Sequence, residues 1–423
     1  VPNGEDTIVR LTAVWDPDEE FKAKLKLDRR TTDQEGSGGA GEMASCPDGT
    51  LTPDLGGVPG VGAFFPFFYG TSAPQFFAAH EDCKLDGSLN VVDVNPDNPL
   101  YTGIRNGGTP FYDLEQTYGS LQLDYELTPA LVLSSVTGYQ DTGHEVMING
   151  GQTGGAGPLI IADTDFDRRD FTQELRLTSD YEGSLNFMAG AYYQDGNMAN
   201  RTGLFFLGPR EKGNLEIDIE TVSVFGQLLY DITSQLELAV GARWQDEQRD
   251  FTPTNLATGE IFAPETYGGK DELNSDNISP EISLTYSPSD DVTYFISYRE
   301  AYKSGSWDTV SNPRGLDLSF GDENVSGFEG GVKARLLDNT LAVNASFYSY
   351  EYEDLQVGAN QSTDDGFQII TLNAASADVR GLDLDFTYAT SVEGLELFGV
   401  LNWNDASYND FSSAQCWGGQ TAL

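Results

Sequence analysis

The sequence predicts an all-β fold, a transmembrane antiparallel up-and-down β-barrel. Three observations point to it: apolar and polar residues alternate in segment after segment, short and long connections alternate along the chain, and Tyr or Trp recurs near segment ends on the apolar parity. Phe21, Ala23, Leu25 and Leu27 alternate with Lys22, Lys24, Lys26 and Asp28. Leu121, Leu123, Tyr125 and Leu127 alternate with Ser120, Gln122, Asp124 and Glu126. Leu175 and Leu177 lead through the turn Asp180-Tyr181-Glu182-Gly183 into Leu185, Phe187, Ala189, Ala191 and Tyr193, a hairpin with one apolar face. Leu236 to Trp244 and Leu382 to Tyr388 repeat the pattern, and roughly fourteen such strands are expected in all.

Short turns at 16–20, 127–130, 180–184, 231–235, 287–291, 336–340 and 390–394 join the strands in pairs. Longer segments rich in Gly, Asn and Asp lie between the pairs, at 31–111, 143–166, 201–214, 251–275, 303–320 and 358–367. This order puts every long loop at one end, the extracellular one, and every short turn in the periplasm. A barrel of some fourteen or more strands is too wide for side chains to fill, so its apolar face belongs in lipid and its polar face in water. Tyr125, Tyr193, Tyr230, Trp244, Tyr286, Tyr298, Tyr388 and Trp403 then form the interfacial aromatic girdle.

With 67 Asp and Glu against 23 Lys and Arg, the formal charge is −44, which argues strongly against nucleic acid or an anionic surface as a partner. The 12% aromatic content and the sustained alternation argue against disorder. The chain opens VPNGED and ends QCWGGQTAL, and is expected to be a fragment. Cys46, Cys83 and Cys416 fit no zinc or iron–sulfur spacing, and no cofactor or metal is expected.

NGGQTGGAGP (149–158) lacks the Lys-Ser/Thr of a phosphate-binding loop and reads as a surface loop. No Ser-His-Asp set appears, so no enzyme is expected; an embedded hydrolase, a passive porin and an adhesin are the alternatives. Lys22, Lys24 and Lys26 make a lumen-facing basic ladder that either offsets acidic neighbours or guides an anionic solute. VGAFFPFFYGTSAPQFF (61–77) either packs the 31–111 loop or offers Phe64, Phe65, Phe67, Phe68 and Tyr69 to a substrate. Cys46 and Cys83 fall in that same loop and are expected to form a disulfide, closing about 38 residues and contributing roughly 3–4 kcal/mol on the chain-entropy model. Peptide mapping that finds both as free thiols would overturn that pairing.

Five segments in register resemble the TonB-dependent outer-membrane receptor family. They are FTQELRLTSDYEGSLNFMAGAYYQDG (171–196), FGQLLYDITSQLELAVGARWQDEQRDF (225–251), SPEISLTYSPSDDVTYFISYREAYKSGSWD (279–308), ENVSGFEGGVKARLLDNTLAVNASFYSYEYEDLQV (323–357) and ASADVRGLDLDFTYATSVEGLELFGVLNW (375–403). The resemblance implies a 22-stranded barrel of the Gram-negative outer membrane, of which about fourteen strands stand here; the whole chain, 1–423, reads as a partial receptor barrel, with the plug, the TonB-box peptide and the last strands expected to lie outside it. It also implies energy from the TonB complex, contact with outer-membrane lipid and lipopolysaccharide, and a small-molecule cargo, first a ferric siderophore, otherwise an oligosaccharide, haem or cobalamin. By the same resemblance, EAYKSG (300–305) and FEGGVK (328–333) place on Glu300 and Glu329 the role of pairing with plug arginines. Glu329 has lumen parity, whereas Glu300 shares the parity of Tyr298 and needs a bulge, or a place beyond the lipid band, to face inward.

Overall fold

The computed structural model describes residues 3–18, 20–36, 84, 87, 93–94, 96–97, 101, 103–149, 160–206, 212–310, 312–363 and 366–411. In chain order the strands are β1 (Asn3–Trp15), β2 (Phe21–Glu35), β3 (Phe111–Thr128), β4 (Leu131–Asn149), β5 (Ile160–Ser179), β6 (Leu185–Phe206), β7 (Gly213–Thr233) and β8 (Leu236–Asn255). They continue as β9 (Glu272–Ser289), β10 (Val292–Lys303), β11 (Ser306–Trp307), β12 (Ser319–Phe320), β13 (Glu323–Leu336), β14 (Leu341–Thr363), β15 (Gly366–Ala389) and β16 (Glu396–Asp410). Fourteen of them form one sheet in which each strand pairs with the next, while β11 and β12 form a separate hairpin within the β10–β13 connection. Among the described residues β1 and β16 are the two edges of the sheet. No helix among the described residues is long and apolar enough to cross a membrane.

The register lines up the two faces as the alternation requires. Phe21, Tyr125, Leu133 and Leu177 stand in one cross-strand row; Lys22, Asp124, Ser134 and Arg176 stand in the next, on the other face. Burial is the inverse of a soluble protein's. Leu228 is 55% exposed on β7, whereas Thr221 and Ser223, on the opposite face of the same strand, are 2% and 0% exposed. Apolar side chains outward and small polar ones inward is the arrangement that lipid demands, and lipid tolerates a spanning sheet only when its backbone groups are paired.

The strands are longer than a bilayer needs. β5, β14 and β15 run to 20, 23 and 24 residues, against about ten for a tilted crossing. In the segments expected as loops at 143–166, 201–214 and 358–367, the described residues other than Lys212 are therefore strand, as β4 to β7, β14 and β15 extend into them. The reason is physical: beyond the lipid both faces meet water, so the apolar signal that marks a strand fades while its hydrogen-bonded ladder continues.

Several lumen-facing rings lie against glycines on the neighbouring strand. A Cβ on Gly331 would come within 2.9 Å of the Phe295 ring, and one on Gly190 within 2.4 Å of the Phe225 ring. Glycine leaves room for the ring to lie along the wall.

Candidate functional site

The inner wall of β9, β10 and β13 to β15 carries a depression of about 470 Å³, lined by Ser297, Arg299, Glu329, Lys333, Asn344 and Asp385 among others. Charges there are arranged in cross-strand pairs. Arg299 donates to Glu281 at 3.1 Å, Asn344 donates to Asp385 at 2.9 Å, and Lys333 sits 5.8 Å over the Phe295 ring. Glu329 is half-buried on this wall, opposite Ser297 on β10 and Tyr348 on β14. Glu300 is on the outer parity of β10, where it accepts a 2.7 Å hydrogen bond from the Tyr298 hydroxyl. The only register shift between β9 and β10 lies between Val292 and Tyr294, so no bulge turns Glu300 inward. In the basic ladder, Lys22 lies 3.7 Å from Asp16 and opposite Asp124, so it has acidic neighbours to offset.

At the extracellular mouth two connections expected as external loops fold inward. Residues 304–310 and 312–322, with their β11–β12 hairpin, and residues 256–271 pack over the lumen faces of β7 and β8. Leu215, Ile217, Phe251, Tyr267, Trp307, Leu318 and Ile370 form the buried cluster. Phe251 stacks on Trp307 with centroids 5.1 Å apart and meets Tyr267 edge-on at 5.6 Å, and the Trp307 indole N–H donates to the Lys270 carbonyl at 2.9 Å. Side chains from distant strands tie the block down. Asn200 on β6 donates to the Thr309 carbonyl at 2.8 Å. Asn373 on β15 accepts from the Gly321 N–H at 2.6 Å and donates to the carbonyls of Gly321 and Asp354 at 2.9 and 2.8 Å. Where the two connections cross, Gly268 has φ +89°, and a Cβ there would lie 2.6 Å from the Asp317 Cα; only glycine fits.

Asp308 in this block is 7% exposed, and burial pushes its carboxyl above the ordinary carboxylate value, although the Val310 N–H and the Thr371 hydroxyl pull the other way. The folded block thus binds the proton more tightly than the unfolded chain does. Its stability falls as pH rises from the unfolded value, near 3.9, through the folded one, and the penalty persists above that. Asp308→Asn is therefore expected to protect the 304–321 segment from protease at pH 7, with the advantage over wild type shrinking in acid. Weaker protection at both pH values would mean that the carboxylate's hydrogen bonds outweigh its burial.

A second cluster caps the outer rim of β3 to β5, where Val94, Tyr101, Phe111, Met147 and Ile161 are buried together. Arg105 bonds Glu145 and Asp165 at 2.8 and 2.7 Å and also pairs with Asp163, whose side chain is fully buried and which takes a further bond from Lys212 at 2.7 Å. Two cations on one buried carboxylate offset its desolvation.

Phe64, Phe65, Phe67, Phe68, Tyr69, Cys46 and Cys83 lie outside the described residues. Sequence reasoning missed the mouth block. Its one local sign is Trp307, a lone bulky apolar residue in the polar run GSWDTVSN. Among the described residues no group of His, Cys, Asp and Glu could hold a metal ion.

Residues 57–421 match the family model described as TonB dependent receptor-like, beta-barrel. A curated relative named "Probable TonB-dependent siderophore receptor PiuA", from Acinetobacter baumannii, is 22% identical, over 66% of this chain and 44% of its own length. The crystal structure of PiuA superposes with a TM-score of 0.64 at 15% identity, covering 99% of this chain and 59% of that one. The ferric yersiniabactin uptake receptor FyuA of Yersinia pestis superposes with a TM-score of 0.66 at 14% identity, covering 96% and 52%. The copper transporter OprC gives 0.64 at 12% identity, covering 96% and 54%. The chain thus spans about half the length of the proteins it matches, and at these identities the superpositions speak for the fold.

Proposed function

The chain belongs to the TonB-dependent receptor family, whose members are outer-membrane receptors and transporters of Gram-negative bacteria rather than enzymes, and from that premise we propose that it forms the barrel of a receptor that takes up a scarce nutrient with energy relayed by the TonB complex. A ferric siderophore is the proposed cargo. The observation that carries this reading is the match of residues 57–421 to the receptor barrel, together with relatives named for ferric-siderophore uptake. OprC, of similar shape and named for copper, is the reason to treat cargo as a question for side chains at the mouth rather than for the fold.

Within this reading Phe64, Phe65, Phe67, Phe68 and Tyr69 are proposed as cargo contacts, each ring worth roughly 0.5–1.5 kcal/mol beyond area burial when stacked on a catecholate. Glu329 is the proposed partner of a plug arginine, Cys46–Cys83 the proposed brace of the same loop, and lipopolysaccharide the proposed neighbour of the outer wall. The test is iron-restricted growth of a deletion strain carrying the full-length gene, with ferric siderophores of different ligand classes as sole iron source. Uptake that needs both the gene and TonB is expected. The pair Phe67→Ser and Phe68→Ser should reduce it at limiting siderophore. Uptake that survives loss of TonB would overturn the energised mechanism, and full uptake by a folded Phe67/Phe68 variant would make those rings packing residues.

A further inference from the structure

One hairpin of the wall is folded over on itself. β10 pairs with β13 from Val292↔Ala334 to Lys303↔Glu323, and β11 pairs with β12 as Ser306↔Phe320 and Trp307↔Ser319. The second register is the first carried on without a slip, so Ser304 stands level with Asp322 and Gly305 with Gly321. β10 with β11 and β12 with β13 are thus the arms of one long hairpin, broken at 304–305 and 321–322. Above the break it leans into the lumen on the cluster that holds Leu215, Phe251, Trp307 and Leu318. The break falls on glycine for a steric reason: a Cβ on Gly305 would lie 2.3 Å from the Phe320 carbonyl oxygen and 2.9 Å from the Gly321 backbone.

Bending the hairpin leaves a seam in the wall. β9 pairs with β8 down to Glu272, yet its ladder to β10 stops at Arg299↔Glu281, next to Pro280, which has no N–H to give. Among the described residues Glu272 to Pro280 therefore have a strand partner on one side only, and so does β14 beyond Glu353. A depression of about 270 Å³ marks the foot of the seam, lined by Asn277, Ile278, Ala301, Val325, Glu351 and Glu353 among others.

Side chains stand in for the missing ladder. Asp322 Oδ1 accepts from the Gly305 N–H at 2.7 Å and from the Ser275 hydroxyl at 2.6 Å. The Gln356 side-chain amide donates to the Ser304 and Gly321 carbonyls at 3.1 and 3.0 Å, and the Gln356 backbone N–H donates to the Glu323 carboxylate at 2.8 Å. With Asn373, which holds both backbone groups of Gly321, these contacts latch the bend. The bent arm lies beside a slot of matching length. Carrying the β9–β10 register past Arg299↔Glu281 sets Gly305 level with Ser275, and Trp307, the last residue of β11, level with Leu273, one residue from the end of β9.

We propose that this hairpin is a hinged panel with two discrete positions. Latched inward, it narrows the mouth. Straightened about Gly305 and Gly321, it adds residues 304–307 to the open edge of β9 and residues 319–322 to that of β14, which completes the wall and clears the mouth. Each position satisfies what the other leaves open: the inward one buries the Trp307 cluster, and the straight one pairs backbone groups that the seam leaves to water. Loss of packing at Trp307 alone does not straighten the panel, because the latch is untouched. The two positions follow from the registers of the wall; that they control the passage of cargo rests on the receptor reading above.

The test is hydrogen exchange, resolved by peptide, on the full-length protein in mild detergent and without cargo. Gly305→Ala clashes with the bend, whereas an extended strand accepts the side chain. It is expected to slow exchange of the seam-facing amides of 272–279 about tenfold, as pairing of an open edge does, while exchange at 256–271 speeds up. Asn373→Ala with Gln356→Ala removes the latch and leaves the hinge alone; it should shift both segments the same way, and it carries the test if Gly305→Ala does not fold. Heat-modifiable migration identifies the folded barrels. A variant that is merely destabilised would lose protection at 256–271 with no gain at 272–279, and that result in the folded variants, or no change at 272–279, would overturn the proposal. Ferric siderophore uptake by the same cells is measured separately: its absence in wild type would count against the receptor reading and leave the panel standing.

Discussion

Trp307→Ala is expected to release the inward-folded connection from the mouth of the barrel, destabilising that block by about 3–5 kcal/mol, as large-to-small changes of a buried aromatic do. Trp307 is 3% exposed, stacks on Phe251 and donates to the Lys270 carbonyl. Alanine removes all three contributions and leaves Phe251 and Tyr267 facing a void. The sheet itself should survive, since its ladders do not pass through this residue. Hydrogen exchange should therefore show lost protection at 304–321 and 256–271 with the strands unchanged. Unchanged exchange in both connections would mean that Asn373, Asn200 and the backbone bonds hold the block without its apolar centre.

Glu329→Ala is expected to make the full-length receptor leak, raising passive entry of large antibiotics several-fold, while Glu300→Ala leaves permeability as it was. The contrast follows from placement. Glu329 is half-buried on the inner wall beside the Arg299 and Lys333 positions, where a cation from a plug can reach it; Glu300 faces outward and is engaged by Tyr298. Removing one partner of a partly buried charge pair costs up to about 3–5 kcal/mol, enough to shift a plug between seated and loosened states. Leakage from both variants would point to general damage of β10 and β13, and leakage from neither would leave Glu329 without a locking role.

The barrel was legible because lipid imposes a strict period of two. Leu121 to Leu127 and Leu236 to Trp244 carry that period in plain form, and the turn at 180–184 falls between β5 and β6 as expected, while that at 287–291 narrows to residues 290–291 between β9 and β10. Strand ends were less legible. In ADTDFDRRD (162–170) both faces are wet or charged, so no apolar alternation survives, yet the register with β4 is unbroken. The mouth block was legible only in the single residue Trp307. Its contacts join Trp307 to Phe251 and Asn373 to Gly321, and apart from Trp307 nothing local in the sequence says that these polar connections turn into the lumen rather than out of it. Glu329 was placed by its parity, and Glu300 keeps the outward direction its parity gives.

The rings that lie against Gly331 and Gly190 bear on what the barrel would let through as a sieve. A phenyl ring standing out from a wall subtracts its full length from the clear bore; one laid along the backbone subtracts little more than its thickness. The bore is therefore set by hydrogen atoms at glycine positions as much as by the large side chains that line it. A methyl group at Gly331 would meet the Ala345 carbonyl oxygen on β14 as well as the Phe295 ring, so it would strain the neighbouring strand while pushing the ring toward the axis and narrowing the passage.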